Sequence, residues 1–401
     1  MTAHQNRSRP GVGLRSAAVR EVVASFQRSV IDLACEISAI PAPTNDERER
    51  SRFVAKQMAV RQLADVAVDE LGDVVGRIPG KNPNTALLIA AHLDTVFPSG
   101  TTLDVVRSNG RVAGPGIGDN SLGVASVLML PQVLEELGVV PEVDILLTGN
   151  VGEEGLGNLR GIRSVMDLHP EVGAVIAVEG HNLGRVTHVA VGSRRLRVRV
   201  TGPGGHSWGD YGNPSAIHAA AEIVGELSRL TLPTTPKTTL NVGMFTGGIS
   251  VNTIAPEASF VLDLRSVDEA SLRRLTDRVD GILRTARSGV TSSVEILGIR
   301  PAGVVSPTSR IVRLAIETLE SMGISPTGDA SSTDANIPIS RGIPAVCIGL
   351  TTGGNVHRED EFIDLDPITN GLTQLVLLSL AVTKELDSGS IAPVGAKKRI
   401  S

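Results

Sequence analysis

The sequence predicts an α/β domain, a mixed sheet flanked by helices, interrupted by a smaller ferredoxin-like α+β block. Three observations carry that prediction. Strand and helix patterns alternate along the first half of the chain and again near its end. Between residues 193 and 301 the order changes to strand, helix, strand, strand, helix, strand. The chain has 401 residues, and single cores stop growing at roughly 250–300 residues. The expected divisions are a disordered tail over 1–20, a principal domain over 21–192 and 302–390, an inserted domain over 193–301, and a second tail over 391–401.

Helical spacing of apolar residues starts at Val22 and stops at Ile40-Pro41-Ala42-Pro43. A second helix is expected from the Thr44-Asn45-Asp46 segment, where Thr44 or Asn45 could cap it, toward Leu63. Val74–Ile78 and Thr85–Ala91 read as strands, the second apolar throughout, as befits a central strand covered on both faces. A helix is predicted over Ser121–Glu136, a buried strand over Val143–Leu147, a helix near Leu159–Met166 and a strand over Ala174–Val178. In the inserted block the predicted strands are Arg194–Val200, Thr239–Phe245, Ala258–Ser266 and Val294–Ile299. Helices over Pro214–Leu230 and Glu269–Ala286 separate them. The first texture then returns with a helix over Ser309–Met322, a strand over Ile343–Gly349 and a closing helix over Ile368–Leu386.

Composition excludes several classes of function. Aromatic residues make up 2% of the chain, so the core is built from aliphatic side chains and little is left for stacking on bases. Net charge is −5 with no basic stripe, which argues against nucleic acid. The apolar runs fall short of the ~20 residues a membrane helix needs. The first twenty residues carry Arg7, Arg9, Arg15 and Arg20 without an acid, but lack the apolar stretch of a signal peptide. A cytoplasmic protein is expected. The two cysteines, Cys35 and Cys347, each sit in an apolar run and read as buried thiols. Any metal must therefore be held by histidine and carboxylate.

Those residue types fall where strands end. In open α/β sheets ligands bind at the carboxyl ends of strands. The strand Thr85–Ala91 runs into His92-Leu93-Asp94, and residues two apart in extended chain share a face. Asp94 could then hold the second ring nitrogen of a metal-bound His92. The strand Val143–Leu147 leads to Gly152-Glu153-Glu154-Gly155, two adjacent carboxylates whose charges repel unless a cation or a proton intervenes. Ala174–Val178 ends in Glu179, the glycine-rich run from Gly114 places Asp119 just before a helix, and Ile343–Gly349 leads to a loop carrying His357. A solvated acidic loop, a helix cap and a polar loop are ordinary alternatives for each taken singly. Together they form one mouth on one sheet edge, with donors suited to zinc or another divalent ion.

With these stretches in order, the chain resembles the di-zinc exopeptidases and deacylases, the M20 metallopeptidases that include tripeptide aminopeptidase, glutamate carboxypeptidase and acetylornithine deacetylase. The matching stretches are Ala91–Pro98, the glycine-rich run to Asp119, Gly152–Gly155, Gly205-His206, Asn252–Pro256, Asp263–Arg265 and Gly353–His357. The resemblance runs from about Val22 to Leu386 and implies a zinc-exopeptidase-like catalytic domain with an inserted lid and dimerisation domain.

It further implies that His92, Asp119 and Glu179 hold one divalent ion, and Asp119, Glu154 and His357 a second. Zinc is the expected metal, with cobalt or manganese as alternatives. By the same resemblance Glu153 is the general base, Asp94 an orienting residue, and the Asp119–Asn120 peptide cis. His206 would reach the oxyanion from the partner subunit of a homodimer, and Asn252 and Arg265 would bind the substrate carboxylate. For Arg265 an ion pair with Asp263 is an equal alternative. The loop after Glu154 resembles the peptidase-T-like members, so the expected activity is cleavage of short peptides, with N-acyl amino acid deacylation or carbamoyl hydrolysis as the alternative. A non-catalytic binding protein on the same fold is the alternative from another class, and no expected catalytic residue is missing.

Overall fold

The computed structural model of the chain describes residues 16–392 and divides into two compact units. One comprises the described residues up to His188, Val305–Asp329 and those from Thr333 onward; the other comprises Val189–Val304 with Ala330–Ser332. The tail expected over 1–20 lies outside the described residues as far as 15. The first helix begins at Ser16, earlier than expected, because Val19 and Val23, one turn apart, are both fully buried. At the other end Ile391 is still buried, and residues 393–401 lie outside the described part.

The first unit is built on a mixed sheet. Its strands lie side by side in the order Ala64–Val68, Val74–Ile78, Val143–Asn150, Asn82–His92, Val172–Glu179, Ala345–Gly349, Arg185–Ala190. The four from Val143–Asn150 to Ala345–Gly349 run parallel, and the outer pairings are antiparallel. The parallel strands are almost wholly buried, which is why they read as unbroken apolar runs. Helices Ser16–Ser38, Gly123–Glu136 and Ile368–Asp387 pack together, the latter two against the Asn82–His92 strand. Leu87 and Ile89 on that strand are 0% exposed, each worth roughly 1.5–3 kcal/mol of burial. Because the parallel strands share one direction, their carboxyl ends meet on one edge, where His92 lies opposite Asn150 and Gly349 opposite Glu179.

Three expectations need correcting. The second helix runs over Arg48–Val60, and neither Thr44 nor Asn45 caps it. Thr44 instead gives its hydroxyl to Asp94, and Asn45 turns the chain at φ 80°. The strands Ala64–Val68 and Arg185–Ala190 have no counterpart in the sequence reading; the first is a half-exposed edge strand without an apolar run. A small four-stranded sheet is also new, ordered Gly353–Gly354, Phe362–Asp364, Arg111–Ala113, Val106–Ser108. Its strands are two or three residues long and carry no periodicity, yet they seat the His357 loop beside the Asp119 loop.

The second unit is a four-stranded antiparallel sheet in the order Thr238–Gly247, Glu257–Ser266, Gly192–Thr201, Thr291–Arg300. With helices Ala216–Ser228 and Glu269–Arg284 this is a split β-α-β arrangement. Leu196, Val198 and Val200 alternate inward and pack with Phe260, Leu262, Leu264 and the helices. The intervening residues form ion pairs: Arg197 with Glu295 at 2.8 Å and Arg199 with Glu257 at 3.3 Å.

Candidate metal centre

His92 closes its strand with a side chain 1% exposed. Its Nδ1 lies 3.0 Å from the main-chain oxygen of Asp94 and 3.6 Å from the Asp94 carboxylate. The Asp94 residue thus faces the His92 ring with both its main-chain oxygen and its carboxylate, the main-chain oxygen being the nearer. That carboxylate also accepts the amides of Glu153 at 2.9 Å and Glu154 at 2.8 Å together with the Thr44 hydroxyl at 2.9 Å. Asp94 therefore couples the His92 strand end to the turn carrying the paired glutamates. Burial works against its charge, but His92 and the two amides outweigh that and hold its pKa below the usual range.

The turn itself is braced from outside. Arg160 donates to both Glu47 oxygens, at 2.6 and 2.7 Å, and its guanidinium lies over Gly152. Gly152 adopts φ 70°, and a Cβ there would stand 2.1 Å from Arg160 Nη1, so the position requires glycine. Arg50, wholly buried, donates 2.8 Å to the Leu93 carbonyl and 2.6 Å to that of Ile40, which fixes the chain just after His92.

Asp119 stands at the middle of the arrangement. One carboxylate oxygen is 3.0 Å from His92 Nε2 and the other 3.0 Å from His357 Nε2. Glu179 comes within 3.6 Å of His92 on one side, and Glu154 within 3.0 Å of His357 on the other. His92, Asp119 and Glu179 can each direct one donor atom to a common point, all within 4.8 Å of one another; Asp119, Glu154 and His357 do the same, as do His92, Glu153 and Glu154. The backbone is non-helical at Asp119 and Asn120, and the peptide joining them is cis. Asn120 donates 2.7 Å to the Val178 carbonyl, which ties this segment to the Glu179 strand.

The protonation pattern shows what such a cluster demands. Bonds to Asp119 and Glu154 push His357 up to about 10. Burial disfavours an imidazolium at His92, but Glu179, Asp119 and Asp94 outweigh it and hold the ring well above its ordinary range. Burial also raises Glu179 to about 7, against the pull of His92. At Asp119 burial opposes ionisation, yet His357 and His92 keep it well below the carboxylate range. Protons on the two imidazoles compensate the crowded carboxylates, a task that divalent cations perform by displacing them. The donor set is imidazole nitrogen and carboxylate oxygen without sulfur, which fits zinc, cobalt or manganese. Asp119, facing two histidines with its two oxygens, fits a bridging position.

The other expected site residues belong to the second unit. His206 pairs with Thr253 in a short two-stranded ladder, and its Nδ1 accepts the amides of Trp208 and Gly209, each at 3.2 Å. Asn252 supports the same loop, its carbonyl accepting Ser207 N at 2.9 Å. Arg265 spends Nε on Asp263 at 2.9 Å, the ion-pair alternative. Trp208 and Tyr211, 86% and 91% exposed, stand on the His206 loop; these are the chain's one Trp and one Tyr. Sequence reasoning missed Glu361, Arg160 and Arg50. The signal available for Glu361 was its position four residues after His357, in a run of charges that reads as an ordinary polar loop.

The sequence model of peptidase family M20/M25/M40 matches residues 88–380. Among curated proteins, an N-carbamoyl-L-amino-acid amidohydrolase of Paenarthrobacter aurescens is 27% identical over 366 residues, covering 80% of this chain and 87% of that protein. Among solved structures, aminopeptidase PepT from Bacillus cereus superposes with a TM-score of 0.74 at 20% identity, covering 89% of this chain and 98% of that one. A Bacillus subtilis protein described as a dinuclear metal-binding peptidase of the M20 family gives 0.65 at 16% identity, covering 90% and 99%.

Proposed function

Because this chain belongs to peptidase family M20/M25/M40, we propose that it is a two-metal hydrolase cleaving the amide bond of short peptides. The observation that carries this reading is Asp119, whose two oxygens each lie 3.0 Å from a different histidine. His92, Asp119 and Glu179 would hold one ion, and Asp119, Glu154 and His357 the other, with zinc expected and cobalt or manganese as alternatives. When bound, such ions polarise the scissile carbonyl and bring the pKa of bound water from ~15.7 toward ~7.

The protein's part is positioning and proton transfer. Glu153 is 6% exposed and shares a donor cluster with His92 and Glu154. From there it takes the proton of the attacking water and delivers it to the leaving amine. Asp94 holds the Glu153–Glu154 turn by its two amides. Nδ1 of His206 accepts two amides, which leaves Nε2 as the nitrogen that would donate to an oxyanion. We assign that donor to the partner subunit of a homodimer. The sheet of the second unit ends in the strands Thr238–Gly247 and Thr291–Arg300, and copies would associate along one of these edge strands. Asn252 and Arg265 would receive the substrate carboxylate, Arg265 through the guanidinium nitrogens not used on Asp263. Two free thiols fit a cytoplasmic setting.

The likeness to the carbamoyl amidohydrolase supports a second reading, hydrolysis of N-carbamoyl or N-acyl amino acids by the same machinery. One experiment separates the two. Wild type and Glu153→Ala are assayed for metal content and against di- and tripeptides, with N-acyl and N-carbamoyl amino acids in parallel. Two ions in both proteins and peptide cleavage by wild type alone is the expected result. Turnover of the acylated compounds alone moves the assignment to the second reading, and absence of stoichiometric metal in wild type overturns both.

A further inference from the structure

Bonded to the backbone of the Asp119 loop is a carboxylate that the proposed mechanism does not use. Glu361 is 0% exposed. One of its oxygens accepts the amides of Gly118 at 2.9 Å and Asp119 at 2.8 Å and faces His181 Nε2 at 2.8 Å; the other accepts Gly116 N at 3.1 Å. Its main-chain oxygen accepts the Gly114 amide at 2.8 Å. A carboxylate offers about four acceptor positions, and all are directed at one loop and one imidazole.

The partners matter for where they lead. The Gly114–Asp119 loop carries the residue shared by both donor triads. Glu361 itself lies four residues beyond His357, and its next residue, Phe362, opens the strand paired with Arg111–Ala113. His181 lies two residues beyond Glu179, and its side chain is 7% exposed. One hydrogen-bonded pair thus ties together the three segments that bring Asp119, His357 and Glu179 to the centre. The fit around it is close. A Cβ at Gly118 would fall 2.1 Å from His181 Nε2 and one at Gly353 2.8 Å from His181 Cε1, so the ring is seated between two positions without side chains.

We infer that Glu361 and His181 are the positioning pair of this centre, setting its affinity for metal by fixing the Asp119 backbone, without touching ion or substrate. The inference rests on the proposed two-metal reading. Replacing the hydrogen-bonding partners that orient metal-binding groups typically costs about 10–100-fold in metal affinity. Both ions should respond together, because Asp119 is common to both triads.

The test compares wild type, Glu361→Gln and His181→Ala as full-length proteins. Zinc affinity is measured by chelator competition, and the absorption spectrum is recorded after cobalt loading. Glu361→Gln keeps size but loses acceptor capacity, and should bind zinc ~10–100-fold more weakly with altered cobalt bands. Its kcat should recover toward wild type at saturating zinc while KM changes little. His181→Ala leaves the three amide bonds and should lose less affinity; it serves as the second variant if Glu361→Gln does not fold. Folded variants with wild-type zinc affinity and an unchanged cobalt spectrum would overturn the pairing alone. Wild type that takes up no zinc overturns the inference together with the reading beneath it.

Discussion

On one side of Asp119 stands His92, 1% exposed, at the end of a buried parallel strand and held by the Asp94 carbonyl. On the other stands His357, its side chain 52% exposed, on a loop at φ 67°. Their carboxylate neighbours differ too: Glu179 ends a strand, whereas Glu154 sits on a turn held by Asp94. The comparison teaches that the two halves share Asp119 but differ in how they are built and how far they are buried. The sheet builds the first half as a by-product of strand direction. Loops, glycines and buried hydrogen bonds must build the second. A site on strands is the more exactly pre-organised of the two, so the His92 half should hold its ion more tightly and the His357 half should exchange it.

The largest effect falls on the shared residue. Asp119→Ala removes a donor from both triads, so both ions should be lost and activity should drop on the order of 10³-fold or more, the scale of removing a principal catalytic group. Metal analysis after dialysis and kcat at added zinc read this out. Retention of one firmly held ion would show that the halves are independent and that Asp119 does not bridge them.

The next comparison separates the halves. His357→Ala should keep one zinc per chain and lose the second, while His92→Ala should lose the tighter ion. His92→Ala should also unfold at lower temperature without metal, because Asp119 and Glu179 lose a charged partner inside the protein. Equal metal loss in both variants would break the proposed asymmetry.

The ease of reading each half from sequence follows the same division. His92 and Glu179 could be read as strand ends because apolar runs such as Leu87–Ala91 mark buried parallel strands, whose carboxyl ends must share an edge. The second unit was legible from the inward alternation of Leu196, Val198 and Val200 and from its element order. What stayed hidden depends on encounters between distant segments. Nothing near Glu361 announces that Gly116, Gly118 and Asp119, some 240 positions earlier, will present their amides to it. The strands that bring them together are too short to show a period. Thr44 and Asn45 look like helix caps locally, and a contact with Asp94 outweighs that local preference.

The smallest expected effect probes the support under the Glu154 half. Asp73 is 1% exposed and accepts the Val151 amide at 2.7 Å, two residues before Glu153, while its other oxygen is buried without a partner. Burial pushes its pKa up to about 8, with Asp69 and Asp334 adding to the shift against the Val151 amide. The folded protein therefore binds this proton more tightly than the unfolded chain, whose carboxyl titrates near ~3.9. Between about pH 4 and 8 the native state carries the excess proton, so stability falls as pH rises through that window. Asp73→Asn keeps the oxygen that accepts Val151 and removes the titration. It should match wild type near pH 4 and exceed it at pH 8 by about 1–3 kcal/mol, since one pKa unit corresponds to ~1.4 kcal/mol and local relaxation takes up part of the shift. Urea unfolding of metal-free protein at both pH values reads the difference. Parallel pH slopes in the two proteins would mean that Asp73 is ionised at no cost, and that the turn beneath Glu154 is as firmly supported as the strand end beneath His92.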